Sequence, residues 1–211
     1  MLQNRAQTPI SSSAWVPFCL MLIALVLRVL TQQNVIPATW SNFSPLMAFA
    51  FAGALVFPKH LPWWSWAFLL LGVDWISQGS SLWAQADGRW EIFLAYGCYT
   101  FAAWMGSGLR RKIGIIDSLI GTLAFSVLFY LVTNSLSWWV KPYYAKDFTG
   151  WVQALTIGVA GPWPTTLEFF RNSLIADFLG ASLILGVYNA EALLRHLRLM
   201  PWKSRETTLS M

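Results

Sequence analysis

The chain has 211 residues, of which 56% are hydrophobic and only 11% are charged, and its formal net charge is +5. Soluble globular domains carry about 25% charged residues, so this composition excludes an ordinary soluble domain and indicates an integral membrane protein. About six spans of roughly 20 residues, joined by short loops, would fill the chain and leave no room for a soluble domain. Cys19 and Cys98 both fall in apolar runs, which favours two small packing residues over a disulfide.

The apolar runs predict an all-α bundle of six transmembrane helices with both termini in the cytoplasm. The predicted spans are, in chain order, Ala14–Thr31, Pro45–Phe57, Leu61–Gln78, Trp90–Leu109, Ile115–Trp139 and Thr165–Tyr188. We expect residues 1–13 to be a disordered N-terminal tail, residues 14–194 a single transmembrane domain, and residues 195–211 a basic cytoplasmic tail. Arg28 interrupts the first run and no small-residue cleavage site follows it, so this span is expected to be retained rather than removed as a signal peptide.

The second span has the most distinctive sequence. Ser44 is a good N-cap residue, and Pro45 fits the first position of a helix. Small residues recur four positions apart, at Ala48 and Ala52 and again at Ala50 and Ala54. This spacing predicts close approach of neighbouring helices.

The lysine and arginine residues set the predicted orientation. Nine of the fourteen flank one end of the six spans, three flank the other end, and Arg28 and Arg171 lie inside spans. Basic residues concentrate on the cytoplasmic side, so the end with nine is expected to face the cytoplasm. The apolar segment Trp151–Pro164 is broken by glycine and proline, and a seventh span there would move the basic tail outside. It is therefore predicted to be an interfacial or re-entrant piece.

Charged and amide side chains interrupt the spans, mostly in their outer halves. A charge at membrane depth costs roughly 2.5–3.5 kcal/mol on insertion scales and is normally kept where it faces a partner or a cavity. At about 1.5 Å per residue, Arg28 and Asp74 lie at similar heights and could pair. The residues predicted to line an outward-open ligand pocket are Arg28, Asn42, Asp74, Asn134, Glu168, Arg171, Asn172 and Asp177. Glu168 and Arg171 could instead form an ion pair outside any pocket, with their charged groups extended to the membrane surface at the end of the helix.

Several kinds of chemistry are absent from the sequence. There is no Gly-x-x-x-x-Gly-Lys-Ser/Thr phosphate loop for ATP hydrolysis and no Gly-x-Ser-x-Gly nucleophile elbow. His60 and His196 lie at predicted inner ends of spans, and no metal-ligand spacing occurs. We therefore expect no enzyme, no cofactor, no metal site and no nucleic-acid partner. An intramembrane hydrolase that uses Asp74 and Asp177 as an acid/base dyad has no support beyond the two carboxylates.

The fourteen tryptophans and the basic tail indicate contact with the membrane. Tryptophan is enriched in the interfacial belts of membrane proteins, which accounts for most of this excess. Trp139 or Trp163 could instead stack on a ring of a bound ligand. Basic residues near the membrane surface attract anionic lipids, so membrane lipids are the partner expected for the tail.

Several short motifs occur in order along the chain. They are Arg28 late in the first span, Asn42-Phe43-Ser44-Pro45 with Ala48 and Gly53-Ala54, then Asp74, Asn134 with Trp138, and Phe169-Phe170-Arg171-Asn172 through Asp177. The segment that carries these motifs, roughly Arg28–Gly186, resembles a family of small bacterial membrane proteins of unknown function. That family in turn looks like the substrate-binding S-components of energy-coupling factor (ECF) vitamin transporters. The resemblance implies a six-helix fold in the bacterial cytoplasmic (inner) membrane and a small-molecule site on its outer side. It also implies a transmembrane coupling protein and two ATPases as partners.

Two functions follow as hypotheses. In the first, the protein captures a small molecule for uptake: Arg28 and Arg171 bind an anionic group, and the carboxylates and asparagines of the predicted site set its polarity. In the second, it is a non-catalytic structural subunit of a larger respiratory or photosynthetic membrane complex, and Arg28–Asp74 is a static pair. A proton- or ion-coupled carrier would need polar residues at an inner gate, which the sequence lacks.

Overall fold

The computed structural model describes residues 15–33, 35, 37, 40, 42–57, 62–79, 86–110, 112–161 and 164–204. These parts of the chain contain helices and turns but no strand, which confirms the predicted all-α class. Seven helices are described: α1 (Trp15–Gln32), α2 (Leu46–Val56), α3 (Ser65–Gln78), α4 (Ala86–Leu109), α5 (Ile115–Val140), α6 (Phe148–Leu155) and α7 (Thr166–Leu194). The predicted disordered tail, the end of the predicted basic tail (residues 205–211) and Trp163 lie outside the described residues.

In the part of the chain that the structure describes, two helices are long enough and apolar enough to cross a membrane. α5 has 26 residues and a mean hydropathy of 2.1 in its apolar window, and α7 has 29 residues and a mean hydropathy of 1.4. At about 1.5 Å per residue, both exceed the roughly 30 Å of a hydrocarbon core. Only 17% of the α5 window and 33% of the α7 window are buried, whereas a core helix of a soluble protein is mostly buried. The full set of six crossings stays a prediction, and α2 and α3 are shorter than a complete span.

The short helix α2 lies at the centre of the bundle. Every residue of α2 is buried, and Ala48, Ala50 and Ala52 have no exposed surface. A helix that is apolar on all sides belongs in a core, and α4, α5 and α7 pack around it. Its middle, Phe49–Gly53, is wound as a π-helix, a form that appears mostly as single turns within α-helices. The small-residue spacing that predicts close packing in this span agrees with the structure.

Three glycines, one from each surrounding helix, allow this close packing. A Cβ atom added at Gly106 of α4 would lie 2.5 Å from the carbonyl oxygen of Phe51. At Gly121 of α5 it would lie 2.6 Å from the ring of Phe51, and at Gly180 of α7 it would lie 2.4 Å from Cβ of Pro45. These distances are far shorter than van der Waals contact. The glycines are therefore needed because α2 and Pro45 before it lie so close to the surrounding helices.

The segment Trp151–Pro164 is only partly helical. α6 begins three residues before it, because Asp147 caps the helix: its Oδ1 accepts a hydrogen bond from the amide of Gly150 at 2.7 Å. The hydroxyl of Tyr130 on α5 donates to the carbonyl oxygen of Leu155, which holds the end of α6 against α5. After Leu155 the described chain continues without helix as far as residue 161.

A capping box sets the start of α7. The carboxylate of Glu168 accepts from the amide of Thr165 at 2.7 Å, and the hydroxyl of Thr165 accepts from the amide of Glu168 at 3.3 Å. The helix then runs to Leu194, six residues beyond the predicted end of the span at Tyr188.

The chain after α7 folds back onto the start of α5. The amide of Ile115 donates to the carbonyl oxygen of Pro201 at 2.9 Å, and the carboxylate of Asp117 accepts from the amide of Ser204 at 2.9 Å. The first amides of a helix have no acceptor within that helix, so the returning segment supplies one. Part of the predicted cytoplasmic tail is thus packed against the bundle.

Candidate functional site

A partly buried ion pair joins α1 and α3. Nε of Arg28 donates to Oδ1 of Asp74, and Nη2 donates to Oδ2, both at 2.6 Å. The hydroxyl of Tyr96 on α4 donates to Oδ2 as well. Asp74 is 2% exposed, and a buried carboxylate needs such partners to remain charged. The pairing of Arg28 with Asp74 that their heights suggest is therefore present in the structure.

This cluster lies near the end of the bundle at which α1 and α3 finish and α4 begins. The side-chain amide of Gln33 donates to the carbonyl oxygen of Ser77 at 3.2 Å, which brings the ends of α1 and α3 together. The hydroxyl of Ser137 donates to Glu91 at 2.8 Å, which joins the end of α5 to the start of α4. We call this end, marked by these four residues, the site end. The basic-residue bias predicts that it faces outward.

A second buried carboxylate, Asp177 of α7, binds the start of α2. Its Oδ1 accepts from the amide of Ala48 at 3.0 Å, and its Oδ2 accepts from the hydroxyl of Ser126 on α5 at 2.7 Å. Asp177 is 3% exposed. The N-terminus of a helix carries unpaired amides and a partial positive charge, both of which stabilise an anion. Asp177 therefore links α2, α5 and α7.

The prediction that Ser44 caps α2 is wrong. The helix begins one residue later than predicted, because Pro45 has a ψ of 51° and is not helical. The hydroxyl of Ser44 is buried and has no hydrogen-bond partner among the residues that the structure describes. An amide of the first turn is instead satisfied by Asp177, a residue far away in the sequence.

Tyr99 of α4 is a buried aromatic residue beside the ion-pair cluster. It is 7% exposed, its ring stacks on Phe129 with centroids 5.1 Å apart, and it meets Tyr96 edge-on at 6.4 Å. Tyr99 therefore packs beside the ion-pair cluster, and its helix α4 also contacts α2, which Asp177 binds.

The other five predicted site residues do not join these clusters. Asn172 is buried and accepts a long bond of 3.4 Å from Arg171. Arg171 and Glu168 are exposed, so the α7 residues predicted to form one buried polar face do not do so, and Glu168 caps its own helix. Asn134 donates to a carbonyl oxygen of its own helix at 2.8 Å, and Asn42 is exposed with a φ of 61°.

Sequence reasoning missed Tyr96, Tyr99 and Ser126. A signal for Ser126 exists: Ser118, Thr122 and Ser126 place a hydroxyl at every fourth position of an apolar helix, and all three are buried. Residues four apart lie on one helix face, so this stripe marks the face of α5 that is turned to the core. Tyr96 and Tyr99 gave little signal, because aromatic residues make up 16% of the chain.

The described residues contain no group of three His, Cys, Asp or Glu side chains that could hold a metal ion. A cleft that the structure outlines lies elsewhere, between α2, α3 and α4, and none of the eight predicted site residues lines it. The two carboxylate clusters with Tyr99 are therefore the candidate site.

Comparison with protein families gives one match, to the model of the Family of unknown function (DUF6580), over residues 8–198. Nothing among the curated proteins or the solved structures matches the chain. The family match agrees with the resemblance to a family of unknown function and does not extend to ECF S-components. Because the match covers most of the chain, this protein belongs to the DUF6580 family of unknown function.

Proposed function

We propose that this protein binds a small molecule at the site end of a membrane-embedded bundle, as a substrate-binding subunit for uptake. The observation that carries the proposal is the partly buried cluster of Arg28, Asp74 and Tyr96, in which Asp74 itself is buried. A buried ion pair is often no more stabilising than apolar side chains of the same volume. Ionisable residues within membrane helices mark substrate paths and ligand sites in many proteins. Function therefore explains this pair better than stability does.

The more exposed partner of the pair is the cation. The side chain of Arg28 is 24% exposed, whereas that of Asp74 is 3% exposed. An anionic group of a ligand would approach the accessible part of the Arg28 guanidinium and compete with Asp74 for its hydrogen bonds. The planar fork of arginine suits a carboxylate or a phosphate, so an anionic small molecule is the expected ligand class. With the ligand bound, the hydroxyl of Tyr96 would be the donor that still satisfies Asp74, so this hydrogen bond would contribute more in the bound state than in the free state.

Uptake would depend on other proteins. The chain has no phosphate-binding loop, so the energy for transport would come from a partner. The resemblance to ECF S-components is the support for a coupling protein and ATPases in that role.

Native mass spectrometry of the protein purified in mild detergent would identify a bound small molecule, which is then added back in thermal unfolding. Arg28→Gln is expected to abolish the rise in Tm that the ligand causes. Arg195→Gln is the matched control, because Arg195 also pairs with a carboxylate, that of Glu191 at 3.0 Å, but is 48% exposed and lies outside the site. Equal stabilisation of both variants by the ligand would contradict the proposal.

Tyr96→Phe separates loss of the ligand from loss of folding. It keeps the ring and removes only the hydroxyl that donates to Asp74. The affinity for the ligand is expected to fall by roughly 2–10-fold, the change that one hydrogen bond gives. An unchanged Kd in a folded variant would place the ligand elsewhere.

A structural role in a larger membrane complex is the second candidate. Both buried carboxylates already have partners within the chain, and the apolar windows of α5 and α7 are largely uncovered. Purification in a gentle detergent distinguishes the two roles. A stoichiometric large complex without a small molecule favours the structural subunit, and an isolated chain with a tightly held small molecule favours capture.

A further inference from the structure

A cleft lies at the end of the bundle opposite the site end, where α2 and α4 finish and α3 begins. Its volume is about 50 Å³, several times the roughly 10–15 Å³ that one water needs on the same measure. Its walls are mainly apolar, and they include Phe49, Phe57, Trp63, Trp66, Leu69 and Arg110. Such a lining suits a hydrocarbon chain.

Trp66 brings a polar group to this apolar cleft. The residue is 4% exposed, and its ring stacks on Phe49 with centroids 5.4 Å apart. Its indole Nε1–H is buried and has no hydrogen-bond partner in the described parts of the chain. A buried tryptophan usually finds an acceptor for this group. Trp66 is also one of the residues that line the cleft, so its unsatisfied donor belongs to the wall of this site.

Arg110 places a positive charge at the same cleft. Its Nη2 and Nε donate to the carbonyl oxygen of Ala54 at 2.7 and 3.2 Å, which fixes the guanidinium at the end of α2. Arg111 and Lys112 follow directly in the sequence, and Lys112 is exposed. Arg110 and Lys112 at this end favour an anionic headgroup, and the charge bias predicts that this end faces the cytoplasm.

We propose that this cleft binds one anionic phospholipid. A short part of an acyl chain lies in the apolar part between Phe57 and Leu69, an ester or phosphate oxygen accepts from the indole N–H of Trp66, and the phosphate faces Arg110. No residue of the candidate site takes part, so this site stands independently of the proposed function.

The test measures Tm of the full chain in detergent micelles with added dioleoyl phosphatidylglycerol, dioleoyl phosphatidylcholine or glycerol 3-phosphate. The two lipids have the same acyl chains, so a difference between their effects on Tm measures the contribution of the headgroup. Glycerol 3-phosphate measures the effect of the phosphate without an acyl chain. Phosphatidylglycerol is expected to raise Tm more than phosphatidylcholine does, and glycerol 3-phosphate is expected to have no effect. Equal effects of the two lipids, or an equal effect of glycerol 3-phosphate, would overturn the proposal.

Two variants assign the effect to the cleft. Trp66→Phe keeps an aromatic ring and is expected to weaken the apparent Kd for phosphatidylglycerol by roughly 2–10-fold. Leu69→Trp fills the cleft from a position that is 40% exposed, and should remove the difference between the lipids. Arg198→Gln, an exposed basic residue of the C-terminal segment, should leave the difference unchanged. A full difference in Leu69→Trp, or its loss in Arg198→Gln, would show that the lipid binds outside the cleft.

Discussion

Replacing Gly106 by alanine tests whether α2 is packed as closely as the structure shows. The new Cβ would lie 2.5 Å from the carbonyl oxygen of Phe51 and 3.2 Å from Cβ of Ala54. The nearer atom belongs to the backbone of a fully buried helix, so it cannot move aside as the end of a flexible side chain would. Overpacking of this kind costs about 1–3 kcal/mol.

Gly97→Ala is the matched control on the same helix. A Cβ at Gly97 would have no atom within 4 Å outside the local helix. Both substitutions gain about 0.5–1 kcal/mol of helix propensity. This gain cancels in the comparison, so Gly106→Ala is expected to be less stable than Gly97→Ala by about 1–3 kcal/mol.

The free energy of unfolding is measured by titrating both variants with SDS in mixed micelles, followed by circular dichroism. Helix content before unfolding should match the wild type in Gly97→Ala. If Gly106→Ala is as stable as Gly97→Ala, α4 does not contact α2 closely and the central position of α2 is refuted.

Three further substitutions test the polar contacts. Asp177→Ala should cost about 1–3 kcal/mol, because a buried amide of α2 loses its acceptor, and Asp177→Asn should cost less in the same unfolding assay. Asp74→Leu should cost about 3–5 kcal/mol by removing the carboxylate that pairs with Arg28, and adding Arg28→Met should recover most of this; a double-mutant cycle without recovery would show that the pair is uncoupled. Asp117→Ala should loosen the returning C-terminal segment, so that trypsin cleaves after Lys203 faster than in the wild type; unchanged cleavage would speak against that contact.

The helices and one ion pair were predictable from the sequence for physical reasons. Long apolar runs broken by glycine and proline locate the helices, and a fixed rise per residue places Arg28 and Asp74 at one height. The sequence also contains a signal that the prediction did not use, because Thr165 and Glu168 have the spacing of a capping box. Local capping accounts for Glu168, which the site prediction had assigned to a ligand pocket.

The remaining contacts depend on helix arrangement, which no local pattern contains. Asp177 binds an amide 129 residues earlier in the chain, so its role as the cap of α2 follows only from how α7 crosses α2. The same arrangement places Tyr96 beside Asp74 and Ser126 beside Asp177. Hydrophobic spacing predicts which face of a helix is buried but not which partner it meets.

The bond between Asp177 and α2 has a consequence for biosynthesis. At translation rates of about 5–20 residues per second, the 129 residues that separate Ala48 from Asp177 take roughly 6–26 s to synthesise. During that interval the α2 segment lacks the Asp177 carboxylate that accepts a hydrogen bond from its first turn. Ribosome-bound chains arrested before α7 should therefore expose α2 to membrane proteases, and protection should appear only once Asp177 has emerged.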